Sequence, residues 1–362
     1  MREIRGGLAK MNIWSSHRLI ALAAAILVSA TAYSPAHSQS QPEFFRGKVI
    51  RLIIGAAAGG GYDLPGRALA NHITRHILGN PKIIVENMPG ASSLIMTNYL
   101  YNIAPRDGTV IGMVNNSIPL EPRLKVLTRQ GGGAQFDLEK MSWIGSPVRE
   151  PHLLWAWSTA ARNIDDMRKR SVIIGSNGVG GDNYTLPFLS NKLLGTKAVL
   201  VTGYPGTNDT FLAVERGEVQ GGGTSLLNLM ANRSEWFLDG RASVIVNFGT
   251  ERLPELPQVP TAIELAQNDS DKELFRFFAM KFEMARPLAL PPGVSSEVVK
   301  ALQDAFDATM KDPSYIAEAK KIGLDVSPLR GVEIVELVRA IQATPEPVVQ
   351  RLRDLLAEAD RN

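Results

Sequence analysis

The chain has 362 residues, 44% of them hydrophobic and 21% charged, and a formal net charge of only +3. That length can bury a large core and favours two domains. The small charge, with no Lys/Arg block in the body, removes the electrostatic footprint of nucleic-acid binding. Cysteine is absent, which excludes disulfides, thiolate metal sites, cysteine nucleophiles and a lipid-anchored N-terminal Cys.

The first segment has the pattern of a cleaved secretory signal. Arg2, Arg5, Lys10 and Arg18 precede the apolar run Leu19–Val28, which is too short to span a bilayer comfortably. Ala30-Thr31-Ala32 places cleavage after residue 32, with Ala36-His37-Ser38 as a second candidate, and Met11 would start a more compact signal. No later segment approaches membrane-span length, so the mature chain is expected to be soluble and exported to the periplasm.

From residue 48 strand and helix patterns alternate. Val49–Ile54 reads as a buried strand that empties into Gly55-Ala56-Ala57-Ala58-Gly59-Gly60-Gly61-Tyr62-Asp63. A helix follows with Leu64, Ala68, Leu69, Ile73 and Ile77 at helical spacing and Asp63 as its N-cap. Ile83–Val85 is a second strand, Ser92 or Ser93 can cap a helix to Ile103, and Thr109–Val114 is a third strand. Residues 121–142, with Gly131–Gly133, break the rhythm as an exposed excursion. Strands resume at Leu153–Trp157, Ser171–Gly175 and Ala198–Val201. Three small, polar strand-to-helix junctions repeat the opening design, at Ser176–Asn183, at Gly203–Thr207 and at Gly221–Ser225. Ser243–Val246 and Phe275–Phe282 read as strands, and Ser295 caps a strong amphipathic helix followed by three helical segments. Short strand–helix–strand units predict mostly parallel sheet covered on both faces.

The glycine loop after the first strand presents backbone N–H groups beside a helix N-terminus, which suits it to an anion. It is neither a P-loop nor a dinucleotide fingerprint, because no Gly-Lys-Ser/Thr follows and Leu64 stands where the latter needs a small residue. Recurrence of glycine-rich junctions favours a ligand cleft at the carboxyl ends of the strands. His72 and His76 are spaced i, i+4, but the intervening residues lack the zinc-protease glutamate and no third ligand is evident. No Gly-x-Ser-x-Gly is present, and His152 is the only histidine between residue 77 and the end of the chain. Asp182 is open to either capping or ligand binding, whereas Tyr62 and Tyr204 could wall a pocket.

In order along the chain, the stretches Ile53–Asp63, Val85–Ala91, Pro105–Thr109, Val201–Gly206, Glu215–Val219, Leu256–Thr261 and Ala289–Val294 form a pattern. From about residue 44 onward it resembles the extracytoplasmic substrate-binding proteins of tripartite tricarboxylate transporters, the Bug family. The resemblance implies an α/β, two-lobed periplasmic-binding-protein-like clamshell of type II, with lobe 1 at 44–146 and 248–362 and lobe 2 at 147–247. It implies a small organic carboxylate as ligand, integral membrane transporter subunits as partners, a monomer, and neither cofactor, metal nor catalytic residue. Carried over residue by residue, one end of the ligand falls to Ala58, Gly59, Gly60, Gly61, Tyr62 and Asp63. The other end falls to Ser176, Asn177, Gly180, Gly181, Asp182, Asn183, Tyr204, Gly206 and Thr207, with Thr224 and Ser225 near the return crossing. Tyr204-Pro205-Gly206 stands where the family often has Tyr-Lys-Gly, Asn183-Tyr184 where it often has Ser-His, and the 121–142 excursion is longer than usual. These departures leave the ligand's identity open, and a sensor docking on a receptor kinase or a small-acid hydrolase or lyase on the same fold are the alternatives.

Overall fold

Val49–Ile54 forms β1, with Ile50, Leu52, Ile53 and Ile54 almost fully buried, as its β-branched run requires. The computed structural model describes residues 44–59, 61–125, 133–178 and 181–359. The expected signal segment with His17 and His37, the loop residues Gly60 and Gly180, and residues 126–132 lie outside the described residues.

The remaining strands are β2 (Lys82–Asn87), β3 (Val110–Met113), β4 (Ser142–Ser146), β5 (His152–Trp157) and β6 (Val172–Gly175). β7 (Ala198–Val201), β8 (Gly221–Ser225), β9 (Ala242–Asn247), β10 (Leu288–Leu290) and β11 (Leu329–Arg330) complete them. They build two sheets, ordered β11-β4-β10-β3-β1-β2 and β7-β6-β8-β5-β9. Each sheet is mixed rather than mostly parallel: β1 pairs in parallel with β2 and β3, but β10 runs antiparallel to β3 and β4. In the second sheet β6 pairs in parallel with β7 and β8, while β5 runs antiparallel to β8 and β9. The strands β5 and β10, by which the chain enters one sheet from the other, both run antiparallel to the neighbours on either side of them.

The helices that matter for the site are α1 (Asp63–Ile73), α2 (Leu94–Asn102), α3 (Asp182–Leu194), α4 (Thr207–Glu215) and α5 (Leu226–Leu238). Beyond them come α6 (Asp269–Glu283), α7 (Ser296–Thr309), α8 (Pro313–Lys321), α9 (Gly331–Ala343) and α10 (Glu346–Ala359). The three helices expected after α7 are present.

Four expectations need correction. Phe275–Phe282 is helical, part of α6, whose Asn268 side chain caps Asp271 N–H and whose Leu274, Phe275, Phe278 and Phe282 are buried. Burying each such ring contributes roughly 1.5–3 kcal/mol, which outweighs an aromatic residue's penalty in a helix of under about 1 kcal/mol. Gly221–Ser225 is not a loop but the central strand β8. A Cβ at Gly221 would lie 2.3 Å from the Trp155 carbonyl oxygen, so glycine there admits the neighbouring backbone. The 121–142 excursion is anchored rather than exposed at its described ends: Glu121, Leu124, Leu138 and Met141 are buried, and Asn98 binds the Gly133 carbonyl at 2.9 Å. Ser93 occupies the cap position of α2 in the left-handed region, φ 80°, and its side chain makes no capping bond.

Candidate functional site

The loop after β1 is built by Asp63 rather than capped by it. The cap position of α1 falls to Tyr62, and the Asp63 carboxylate, only 3% exposed, accepts from Gly59 N–H (2.8 Å), Arg67 Nε (2.9 Å) and Asn87 Nδ2 (2.9 Å). The Arg67 hydrogen bond leads the causes that hold its pKa down at about 2 despite burial. Gly59 takes φ +77°, a turn that glycine allows without strain. Tyr62 donates its hydroxyl to the Ala285 carbonyl (2.8 Å) and accepts from Asn116 N–H (3.1 Å). Burial pushes that phenol's pKa up, so it stays a neutral post.

The loop ends at a cleft of about 460 Å³. Gly61 lines it on the first-sheet side, and its carbonyl accepts from Arg286 Nε at 2.9 Å. From the second sheet come Asn177, Asp182, Asn183, Thr207, Gly223, Thr224 and Ser225. The side of α5 contributes Leu227, Asn228, Ala231 and Asn232, and Ile322 with Gly323 closes the ring from the chain after α8. The β5–β8 register explains part of this convergence: His152 lies opposite Ser225, so the start of β5 and the end of β8 meet at one rim.

Two buried ion pairs cross the cleft floor. Arg286 Nη1 meets Glu150 at 2.6 Å, and Lys281 Nζ meets Asp182 at 2.5 Å, every member at most 20% exposed. Burial opposes ionisation of Glu150, yet the neighbouring Arg286 charge, aided by His152, carries its pKa below the ordinary value. The same contest at Asp182 is decided by Lys281 and His152. His152 stacks on Phe282 with ring centroids 4.6 Å apart, and its Nδ1 lies 3.4 Å from Asp182. Burial lowers the His152 pKa against the pull of both carboxylates, so the imidazole is neutral at pH 7. The floor therefore carries balanced charge, with Arg286 Nη2 outside these bonds.

Anion-holding capacity comes also from helix ends. The cap positions of α3 and α4 are Gly181 and Gly206, neither of which supplies a side-chain cap, and both helices start at the cleft with Asp182 and Thr207. By contrast α5, α6, α7 and α8 are capped by Ser225, Asn268, Ser295 and Asp312. An uncapped N-terminus leaves N–H groups and the positive end of a dipole for a ligand.

Of the residues singled out from the sequence, Gly61, Asn177, Asp182, Asn183, Thr207, Thr224 and Ser225 meet at the cleft. Ala58, Gly59, Tyr62 and Asp63 form the supporting loop without lining it, as do Ser176, Gly181 and Gly206 on the other side. Tyr204 is directed elsewhere, its hydroxyl 3.5 Å from Glu218. Glu150, Lys281, Arg286, Asn228 and Asn232 were missed, and His152 was passed over as a strand-start residue. Asn228 and Asn232 carried a signal in their i, i+4 spacing on a helix. Arg286 carried none, because its role depends on a loop returning 225 residues later to Gly61. The i, i+4 pair ties this corner to α8: His72 on α1 lies 2.6 Å from Glu318, and His76, on the 3-10 turn Thr74–His76 after α1, lies 3.0 Å from Asp312.

Comparison with known proteins agrees with this architecture. A relative described as UPF0065 protein in gbd 5'region, from Cupriavidus necator, is 25% identical over 350 residues, 91% of this chain and 95% of its own length. A TctC solute-binding protein from Polaromonas superposes with a TM-score of 0.65 at 18% identity, covering 84% of this chain and 99% of that one. MatC from Rhodopseudomonas palustris with bound malate has a TM-score of 0.55 at 18% identity over 86% and 100% of the two chains. An R. palustris protein with adipate gives 0.57 at 17% identity over 87% and 98%. The fold is thus the two-lobed α/β clamshell of periplasmic binding proteins. The sequence profile of the tripartite tricarboxylate transporter family receptor, TctC, matches residues 66–354, and the chain belongs to that family of solute-binding receptors.

Proposed function

We propose that the chain is an exported, periplasmic receptor that captures a small organic carboxylate and delivers it to the membrane subunits of a tripartite tricarboxylate-type transporter. The observation that carries this reading is the cleft itself. Gly61 and Arg286 line it together with Asp182 and Thr207, the first residues of the uncapped α3 and α4, around a space of about 460 Å³. A carboxylate there would accept backbone N–H and guanidinium hydrogen bonds while the ion pairs stay intact. The relatives with malate and adipate support the ligand class. The reading divides the chain into lobe 1 at 44–146 and 248–362 and lobe 2 at 147–247, closing by a hinge on the bound acid. Among the described residues no helix is long and apolar enough to cross a membrane, which accords with a receptor that needs a separate transporter.

A thermal-shift series with mono-, di- and tricarboxylates tests the reading. Saturating amounts of the right acid should raise Tm by several degrees, with the acid recovered unchanged. Turnover of the acid would replace the receptor by an enzyme. Lack of any shift, confirmed by calorimetry, would remove the carboxylate.

A further inference from the structure

The cleft wall is unusually rich in side-chain amides with unused bonding capacity. Asn177, Asn183, Asn228 and Asn232 all line it, joined by the hydroxyls of Thr207 and Thr224. The buried Asn183 Oδ1 has no partner among the described residues. Asn177 Oδ1 and Asn183 Oδ1 both border Gly181, where a Cβ would sit 2.6 Å from the first oxygen and 2.9 Å from the second. On the facing helix Asn232 Nδ2 donates to Asn228 Oδ1 at 3.0 Å, which leaves Asn228 Nδ2 and Asn232 Oδ1 for a bound molecule. A buried acceptor such as Asn183 Oδ1 is costly to leave unpaired, and the half-buried Asn228 with the exposed Asn177 and Asn232 adds amides open to the cleft, so the site favours a ligand with matching groups. A plain aliphatic chain between two carboxylates supplies none.

The unused groups are both donors and acceptors, which a hydroxyl satisfies at once. An ammonium group fits less well. Glu150 and Asp182, the carboxylates at the floor, are already matched by Arg286 and Lys281 at 2.6 and 2.5 Å. A further positive charge would enter with no free counter-ion. Resting on the carboxylate reading above, we infer that the ligand is a polyhydroxylated carboxylate of the aldonate or aldarate class, its hydroxyls seated between the Asn177–Asn183 wall and the Asn228–Asn232 helix.

Isothermal titration with adipate and glucarate separates the possibilities, since the two diacids share one carbon chain and differ in hydroxyls. Glucarate should bind the wild-type protein at least about tenfold more tightly, as two or more added hydrogen bonds imply. Asn183→Leu should shrink that ratio severalfold, and Asn232→Ala on the other helix serves if the first variant fails to fold by circular dichroism. Adipate binding as tightly as glucarate, or a ratio unchanged in both folded variants, overturns the hydroxyl assignment and leaves the receptor standing. Failure of every acid, hydroxylated or not, overturns the carboxylate reading itself.

Discussion

The two strand-to-helix junctions that face each other across the cleft are built on opposite plans. After β1 the polar side chains are engaged by the protein: Asp63 binds Gly59, Arg67 and Asn87, and Tyr62 bridges Ala285 and Asn116, while the Gly61 carbonyl meets Arg286. After β6 the reverse holds, with Ser176 Oγ and Asn183 Oδ1 buried and without a partner among the described residues and Gly181 giving α3 no side-chain cap. The first junction is a finished wall that a ligand meets as it stands. The second keeps its bonding capacity open. Preorganisation on one side and unspent hydrogen bonds on the other let the ligand complete the site without rebuilding it.

Breaking the finished wall should cost most at Arg286. Arg286→Met leaves Glu150 buried without its partner, a loss of about 3–5 kcal/mol by urea unfolding, whereas Arg286→Met with Glu150→Leu should recover most of it. A single variant as stable as wild type would show that the pair does not hold the floor. Asp63→Ala should cost about 2 kcal/mol, because three bonds to an ionised acceptor are lost together. Affinity for the acid should fall with it, since Gly59 and Arg67 are released beside Gly61. Unaltered affinity at unchanged stability would make the loop a simple turn.

Acidification should act on the floor by a smaller, graded loss. His152 binds its proton less readily folded than unfolded, so stability falls as pH drops below about 6.5, where the unfolded chain takes up the proton first. Glu150 and Asp182, both shifted down from 4.5 and 3.8, contribute stability that is complete above those values and declines as pH falls beneath them. Urea midpoints at pH 7, 5.5 and 4 measure this, and His152→Asn should flatten the upper part of the decline. A flat profile in the wild type would place the imidazole in water. The least effect is expected at Tyr204→Phe, under about 0.5 kcal/mol with unchanged affinity, because among the described residues its hydroxyl reaches only Glu218. A marked loss of affinity there would extend the open wall beyond Thr207.

Legibility in the sequence followed the range of the interactions. Val49–Ile54, the glycine turn after it and the amphipathic α1 and α7 are decided by neighbours within a few residues, and their periodicity shows it. α6 was misread because its aromatic run favours strand locally, while Phe275, Phe278 and Phe282 are settled by packing from elsewhere. Gly221–Gly223 looked like another anion loop, though Gly221 and Gly222 answer to Trp155 on the adjacent strand and Gly223 to the Asn183 backbone in α3. Half of the candidate cleft was readable for the same reason. Asn177, Asp182 and Asn183 sit in a junction whose composition announces it, whereas Glu150, Lys281 and Arg286 are ordinary charged residues until folding sets them together.

The sequence by itself determined the alternation of strands and helices, the family pattern and the glycine-rich junctions, because local sterics and hydrophobic period act along the chain. Only the tertiary structure decided that Asp63 fastens a loop instead of capping a helix, that Arg286 and Lys281 are committed to Glu150 and Asp182, and that four asparagines face one space. Those facts depend on residues brought together across as many as 136 positions of chain, and charge and hydrogen bonding are settled by distance in space.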